Sequence, residues 1–283
     1  MEGKERIGLI AGWGDFPLAA ANSIVASGYD LVVIGIRGHA NRQLAELAKD
    51  YVELGLGRFG AAVRYFRRHR VHRVVLAGKV FKTRILVRFA WLKHWPDWLF
   101  WRYFYQHFWT GGQNRNDDTL LLTVTKLFKD HGMNCMPATD FAPELLVNPG
   151  PLTRRRVSEL ERKDIQFGWQ IAKEMGRLDI GQCVCIKGQT VLAVEAIEGT
   201  DDCIRRAGEL CSTGGIVVVK VAKPQQDMRF DVPTVGVGTI EAMQAAGARV
   251  LAIESQRTII LDQPTVVETA NRLGISILAI PAP

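Results

Sequence analysis

Long apolar runs are absent from this chain: no stretch reaches the roughly 18 consecutive apolar residues that a membrane-spanning helix requires, so any membrane contact is expected to be peripheral. Cysteine is scarce. The five residues Cys135, Cys183, Cys185, Cys203 and Cys211 are odd in number, form no CxxC, and lie in apolar or helical stretches, which argues against a disulfide framework and for a reducing cytoplasm. Histidine forms no HExxH, and His69 and His72 sit in RYFRRHRVHR among five arginines, a setting that disfavours a structural zinc. Repeats and low-complexity tracts are missing as well. The opening MEGKERIGLIAGWGDFP carries only a short apolar run broken by glycines and Asp15, so it reads as a first strand rather than a signal peptide.

Acidic residues are nearly missing from residues 79–116, where Asp97 stands alone against Lys79, Lys82, Arg84, Arg88, Lys93, Arg102 and Arg115. That segment accounts for most of the net charge of +7 and holds five of the seven tryptophans. Pro96 suits a first helical position, after which Trp98, Trp101, Tyr105 and Phe108 recur at the spacing of one helical face. Basic stems between aromatic rings fit the headgroup boundary of an anionic bilayer. A packed helical pair or a homodimer interface would use the same residues. Nucleic acid is not expected as a partner, because the aromatics are too dense for base stacking and no RNP-like or helix-turn-helix pattern accompanies them.

The 283 residues suit two α/β domains of ordinary size. IGLIAG, LVVIGI, YVELGL and VHRVVLAG alternate with helical segments beginning at Pro17 and about Arg58, the rhythm of an N-terminal Rossmann-like parallel sheet over residues 1–141, with an aromatic and basic insertion at 80–114. Proline and glycine cluster in APELLVNPGPLT, which marks a linker at 142–153. Residues 154–283 then read as a C-terminal mixed α/β domain: a long helix, the strands QCVCIKG and TVLAVEAIEG, helices at 201–210, 239–246 and 264–273, and the strands IVVVK, RVLAIE and ISILAI. Cys183 and Cys185 should face one way along their strand.

Several stretches carry potential chemistry. KVAKPQQDMRFDVPTVGVG at 220–238 places Lys220, Lys223 and Arg229 near Asp231; the cations can neutralise phosphoryl oxygens, while the carboxylate can hold a divalent cation or orient a water. A solvated edge strand with a turn explains the same charges. AGWGDFP sets Gly12, Trp13 and Gly14 at a strand-to-helix turn where amides can approach an anion. The third glycine of a dinucleotide fingerprint is replaced by Pro17, and Arg37 is the remaining support for an NADP-linked oxidoreductase. LAGKV repeats the arrangement with Gly78 and Lys79, so the two glycine turns can bracket one ligand. Asn116, Asp117 and Asp118 open a helix, which capping alone explains. In AVEAIEGTDD, Thr200 and Asp201 begin a helix whose amides can grip a phosphate or a sugar hydroxyl.

Taken together, AGWGDFP, LAGKV, RNDD, EMGRLDIGQ, AVEAIEGTD, IRRAG and KVAKPQQDMRFDVPTVG resemble the LpxI-type UDP-2,3-diacylglucosamine pyrophosphatases along nearly the whole chain. The resemblance implies a cytoplasmic, divalent-metal-dependent hydrolase of lipid A biosynthesis, peripheral to the inner membrane and using Mg2+ or Mn2+. Such an enzyme splits UDP-2,3-diacylglucosamine into UMP and 2,3-diacylglucosamine 1-phosphate, with water directed at the β-phosphorus. The family's essential aspartate corresponds to Asp231, as metal ligand or water-positioning group. Lys220, Lys223 and Arg229 are then expected as phosphate clamps, and Gly12, Trp13, Gly78, Lys79, Thr200 and Asp201 as substrate contacts. A non-catalytic lipid- or nucleotide-binding module is the competing reading without turnover.

Overall fold

In the computed structural model, which describes residues 4–80, 96–109, 117–229 and 232–282, the chain divides between Pro143 and Glu144 into two units, with Met228 and Arg229 grouped with the first. The first contains β1 (Arg6–Ala11), α1 (Phe16–Ala26), β2 (Asp30–Ile36), α2 (Leu44–Leu47), β3 (Asp50–Leu54), α3 (Phe59–Arg68), β4 (Arg73–Ala77), α4 (Trp98–Trp109), α5 (Asp117–Asp130) and β5 (Asn134–Met136). Its strands pair in parallel in the order β3-β2-β1-β4-β5. Parallel strands need cover on both faces, which is why LVVI and RVVLA are almost continuously apolar. Leu9, Val33 and Val75 pack against Ala20, Ala21 and Ile24 of α1 on one side. Val32, Ile34 and Val74 pack on the other against Val63 and Phe66 of α3 and Leu127 and Phe128 of α5.

Asp97, the lone acid of the basic segment, caps two helices at once. Its Oδ1 accepts from the amides of Leu99 and Phe100, both at 3.1 Å, at the start of α4. Its Oδ2 accepts from Gly60 at 2.7 Å and Ala61 at 3.3 Å, in the first turn of α3, where Arg58 supplies no side-chain cap. The inward side of α4 is built on Phe100 and Phe104, stacked on one another at 5.0 Å and on Phe59 at 6.1 and 5.3 Å. The stripe that periodicity singles out lies outward instead: Trp98 is 76% exposed, with Trp101 and Tyr105 also exposed. Phe108 belongs to the same stripe, but its side chain, like most of the 80–114 insertion, lies outside the described residues.

The second unit contains β6 (Gly150–Pro151), α6 (Glu159–Arg177), β7 (Cys183–Lys187), β8 (Thr190–Val194), α7 (Thr200–Leu210), β9 (Ile216–Lys220), β10 (Thr234–Val235), α8 (Val237–Ala245), β11 (Ala248–Glu254), β12 (Ile259–Ile260), α9 (Gln263–Arg272) and β13 (Ser276–Ile280). The mixed sheet runs β6-β13-β11-β9-β7-β8, with β9, β11 and β13 parallel and β7 antiparallel to both of its neighbours. Residues 142–153, read as a linker, are more than a connector, because Gly150–Pro151 pairs antiparallel with β13. Proline suits that place at the sheet edge, where no amide donor is required of it.

Helix α6 opens with a capping box in which the Ser158 hydroxyl accepts from the Glu161 amide and the Glu161 carboxylate accepts from the Ser158 amide. Its buried face, Ile165, Trp169 and Ala172, covers Val184, Val217, Val219 and Ala252. On the opposite face Cys183, Cys185 and Cys203 are buried together with Val218, Leu251 and Ile277, as the alternation along β7 requires. Hydrogen bonding to Cys185 and Cys203 and complete burial push the Cys183 thiol up, so Cys183 serves there as apolar filling.

Asp97→Ala should remove two helix caps at once and lower stability by about 2–4 kcal/mol, at roughly 1–2 kcal/mol per cap. Thermal unfolding followed by circular dichroism checks this; an unchanged midpoint would contradict the double cap.

Candidate functional site

In open parallel sheets, ligands gather beyond the carboxyl ends of the strands where the strand order reverses. In the first unit that point lies between β1 and β4, and the structure brings the two glycine turns that follow these strands into direct contact. The Gly12 amide donates to the Ala77 carbonyl at 2.8 Å, Trp13 donates to the Lys79 carbonyl at 2.8 Å, and Lys79 returns a bond to the Trp13 carbonyl at 2.9 Å. A Cβ on Gly12 would stand 2.7 Å from the Lys79 carbonyl oxygen, and one on Gly78, at φ 91°, would stand 2.6 Å from Pro17 Cγ. Each turn thus occupies the space that the other's glycine leaves open. This close approach accounts for Gly12 and Gly78 without a dinucleotide. Trp13 and Lys79 carry exposed side chains at the same point.

In the second unit β8, β9, β11 and β13 run the same way, so Glu195, Lys220, Glu254 and the N-terminal turn of α7 share one edge of the sheet. Glu195 is buried; its Oε1 accepts from the Thr200 hydroxyl at 2.9 Å and its Oε2 faces the Gln182 amide at 3.3 Å. The Asp201 Oδ1 accepts from the Thr239 hydroxyl at 3.3 Å, tying α7 to α8. Gly199, at φ 89°, makes the turn into α7 in a conformation that side-chain-bearing residues rarely adopt.

Lys220, Lys223 and Arg229 occupy three different settings. Lys220 is only 6% exposed, and its ammonium donates to the Thr234 carbonyl at 2.8 Å, joining the end of β9 to the start of β10. Lys223 is half-buried and bonds Asp179 at 2.6 Å. Arg229 is half-buried on the loop that follows. Asp231, expected as the catalytic carboxylate and metal ligand, lies outside the described residues, as does Asn116; Asp117 and Asp118 begin α5.

The chain matches the LpxI N-terminal domain model over residues 6–145 and the LpxI C-terminal domain model over residues 148–278. The chain belongs to the LpxI family. It is 30% identical over 285 residues, spanning 97% of each chain, to a protein of Caulobacter vibrioides (strain ATCC 19089 / CIP 103742 / CB 15) named UDP-2,3-diacylglucosamine pyrophosphatase LpxI. The glycine turns belong to the LpxI N-terminal domain, and the Glu195, Thr200 and Lys220 edge to the LpxI C-terminal domain.

Sequence reasoning passed over the acid and cation that anchor this edge of the LpxI C-terminal domain. Glu254 is fully buried at the end of β11, where it meets Lys173 of α6 at 2.6 Å. One signal was available: a lysine four residues after Trp169 and one after Ala172, next to the apolar face of a helix, and a glutamate closing the apolar run RVLAI.

Gly78→Ala should destabilise the protein by about 2–4 kcal/mol, because alanine meets both a disfavoured φ and occupied space. A melting temperature equal to that of the parent protein would show that the two turns do not abut as described.

Proposed function

We propose that this chain hydrolyses the pyrophosphate bond of UDP-2,3-diacylglucosamine to UMP and 2,3-diacylglucosamine 1-phosphate, a step of lipid A biosynthesis. The observation that carries this reading is the match to both LpxI domains together with the end-to-end similarity to a pyrophosphatase. The reaction forms one P–O bond from water, breaks the bridging P–O bond, and passes a proton from the attacking water to solvent or a nearby base. A diphosphate diester carries about two negative charges at neutral pH, so charge neutralisation and placement of water are the main catalytic demands.

Residues of the 220–233 segment suit those demands. Lys223 and Arg229, both half-buried, are the proposed cations for the phosphoryl oxygens, and Asp231, next but one in sequence after Arg229, is the proposed group that arranges the water. Among the described residues no three His, Cys, Asp or Glu side chains form a metal-holding group. A Mg2+ or Mn2+ ion would be held by Asp231 and by the substrate's own phosphates, since magnesium usually takes only one or two carboxylates and keeps several waters. Such an ion would neutralise and polarise a phosphoryl oxygen. Trp13, Lys79, Thr200 and Asp201 are the proposed contacts to uridine, phosphate and sugar, with Gly12 and Gly78 shaping the turn that presents the first two.

The protein is further proposed to work at the cytoplasmic face of the inner membrane. No helix among the described residues is long and apolar enough to cross a membrane. Trp98, Trp101 and Tyr105 form an outward aromatic face with exposed Arg102 beside them, the composition of an interfacial helix on anionic lipid. A homodimer using this face would register as doubled mass in light scattering.

Asp231→Ala should fold as the parent protein does but release UMP from UDP-2,3-diacylglucosamine at least about a hundredfold more slowly. Turnover in 18O water with phosphorus NMR should place the label on 2,3-diacylglucosamine 1-phosphate; unimpaired turnover by the variant would remove Asp231 from the mechanism. Replacing Trp98 and Trp101 together with serine should weaken sedimentation with anionic liposomes by about tenfold or more while moving the melting temperature little. A large loss of stability with liposome binding intact would mark the face as structural.

A further inference from the structure

Lys173, Gly176 and Glu254 form a seat for the start of the loop that leads to Asp231. Glu254 Oε2 accepts from the Ala222 amide at 2.8 Å and from Lys173 Nζ at 2.6 Å, and Lys173 Nζ also donates to the Ala222 carbonyl at 3.0 Å. One residue, Ala222, is therefore held at both its N–H and its C=O by a single ion pair, whose acid is fully buried. Arg257 Nη1 faces the other oxygen, Glu254 Oε1, at 3.6 Å, so the carboxylate meets cations on two sides. Three residues along α6 from Lys173, Gly176 lets the chain pass close: a Cβ there would lie 3.1 Å from Lys223 Cα and 3.2 Å from Pro224 Cδ. Gln225 Nε2 then donates to the Gly176 carbonyl at 3.0 Å. On the preceding side, the Val221 amide donates to the Gln182 carbonyl at 3.0 Å.

These contacts fall on consecutive residues immediately after β9, ahead of Lys223, Arg229 and Asp231. The far end of the same loop is closed by Lys220 on the Thr234 carbonyl. Fixing both ends of a loop on buried polar groups reduces the conformations open to what lies between them, and misplacing a reacting group by about 1 Å can cost about a hundredfold in rate. We propose that Glu254 and Lys173 are positioning residues for hydrolysis: through the backbone of Ala222, with the next residues seated on Gly176, they fix the start of the loop, residues 222–225, from which Arg229 and Asp231 follow in sequence, without touching substrate. The inference rests on the reading that this loop carries the catalytic carboxylate.

Four full-length proteins test it with UDP-2,3-diacylglucosamine as substrate: the parent, Asp231→Ala, Glu254→Gln and Gly176→Ala. Glu254→Gln takes the negative charge from under the loop, whereas Gly176→Ala leaves every charge in place and shifts the loop by a few tenths of an ångström. Both should keep the circular dichroism spectrum of the parent. In both, kcat should fall by about tenfold to a hundredfold with KM changed less than about threefold, and hydrogen exchange at the Ala222–Gln225 amides should quicken. If Glu254→Gln does not fold, Gly176→Ala decides alone. A folded Glu254→Gln or Gly176→Ala with kcat within twofold of the parent overturns the positioning role while leaving the hydrolase reading intact, provided that Asp231→Ala is inactive. Full activity in Asp231→Ala overturns the positioning role through its premise, and absence of UMP release by the parent overturns the hydrolase reading and the positioning role together.

Discussion

A parallel strand has to be covered on both faces, and its polar ends must then be dealt with where it emerges from that cover. Both units are built on this constraint. In the first, helices α1 and α3 to α5 enclose the sheet, and the exits of β1 and β4 are settled by bonding the two following turns to one another. In the second, α6 covers one face and α7 to α9 the other, so that charged residues at the strand ends are themselves buried. Lys220 and Glu254 are stable there only because each meets polar partners: removing one member of a buried ion pair typically costs about 3–5 kcal/mol. The demand for partners is what ties Ala222, at the start of the loop after β9, to α6 and β11, since its backbone supplies them.

The same economy of charge appears in the basic segment. With one acid among seven cations, Asp97 is placed where its two oxygens serve four amides at the starts of α3 and α4. The docking of α4 on α3 then separates its aromatic residues by role. Phe100 and Phe104 are enclosed against Phe59, while Trp98, Trp101 and Tyr105 stay on the surface. An indole or phenol has a polar edge that favours an interface, whereas a phenylalanine ring has none, and the division follows that chemistry.

Element order was legible in the sequence because covered parallel strands leave apolar runs and the helices between them begin at Pro17, Arg58, Ser158 and Gly199 or beside them. Membership of the LpxI family was legible from motif order along the chain. The direction in which a charged side chain turns was not. IVVVK places a lysine at a strand end, but whether its ammonium reaches substrate or bonds the Thr234 carbonyl depends on how the loop folds back over it. The 3-and-4 spacing of Trp98, Trp101 and Tyr105 defines a face without saying which side of the helix the core takes. The Lys173–Glu254 pair was the least visible, because its members are 81 residues apart and only the stacking of α6 on β9 and β11 brings them together.

These settings divide the cations between two kinds of work. A lysine whose ammonium is enclosed and bonded to a carbonyl, as in Lys220, or to a carboxylate and a carbonyl, as in Lys173, holds backbone; swinging towards a phosphate would leave a buried acceptor unsatisfied. Lys223 differs, because it is half-buried and its carboxylate partner Asp179 is also partly open to water. Under the proposed hydrolysis a diphosphate would bring about two negative charges where Asp179 offers one, which would favour an exchange of partner by Lys223. On the proposed reading, contact with the anhydride would fall to the cations that can change partner, and the hold on the start of the loop to those that cannot.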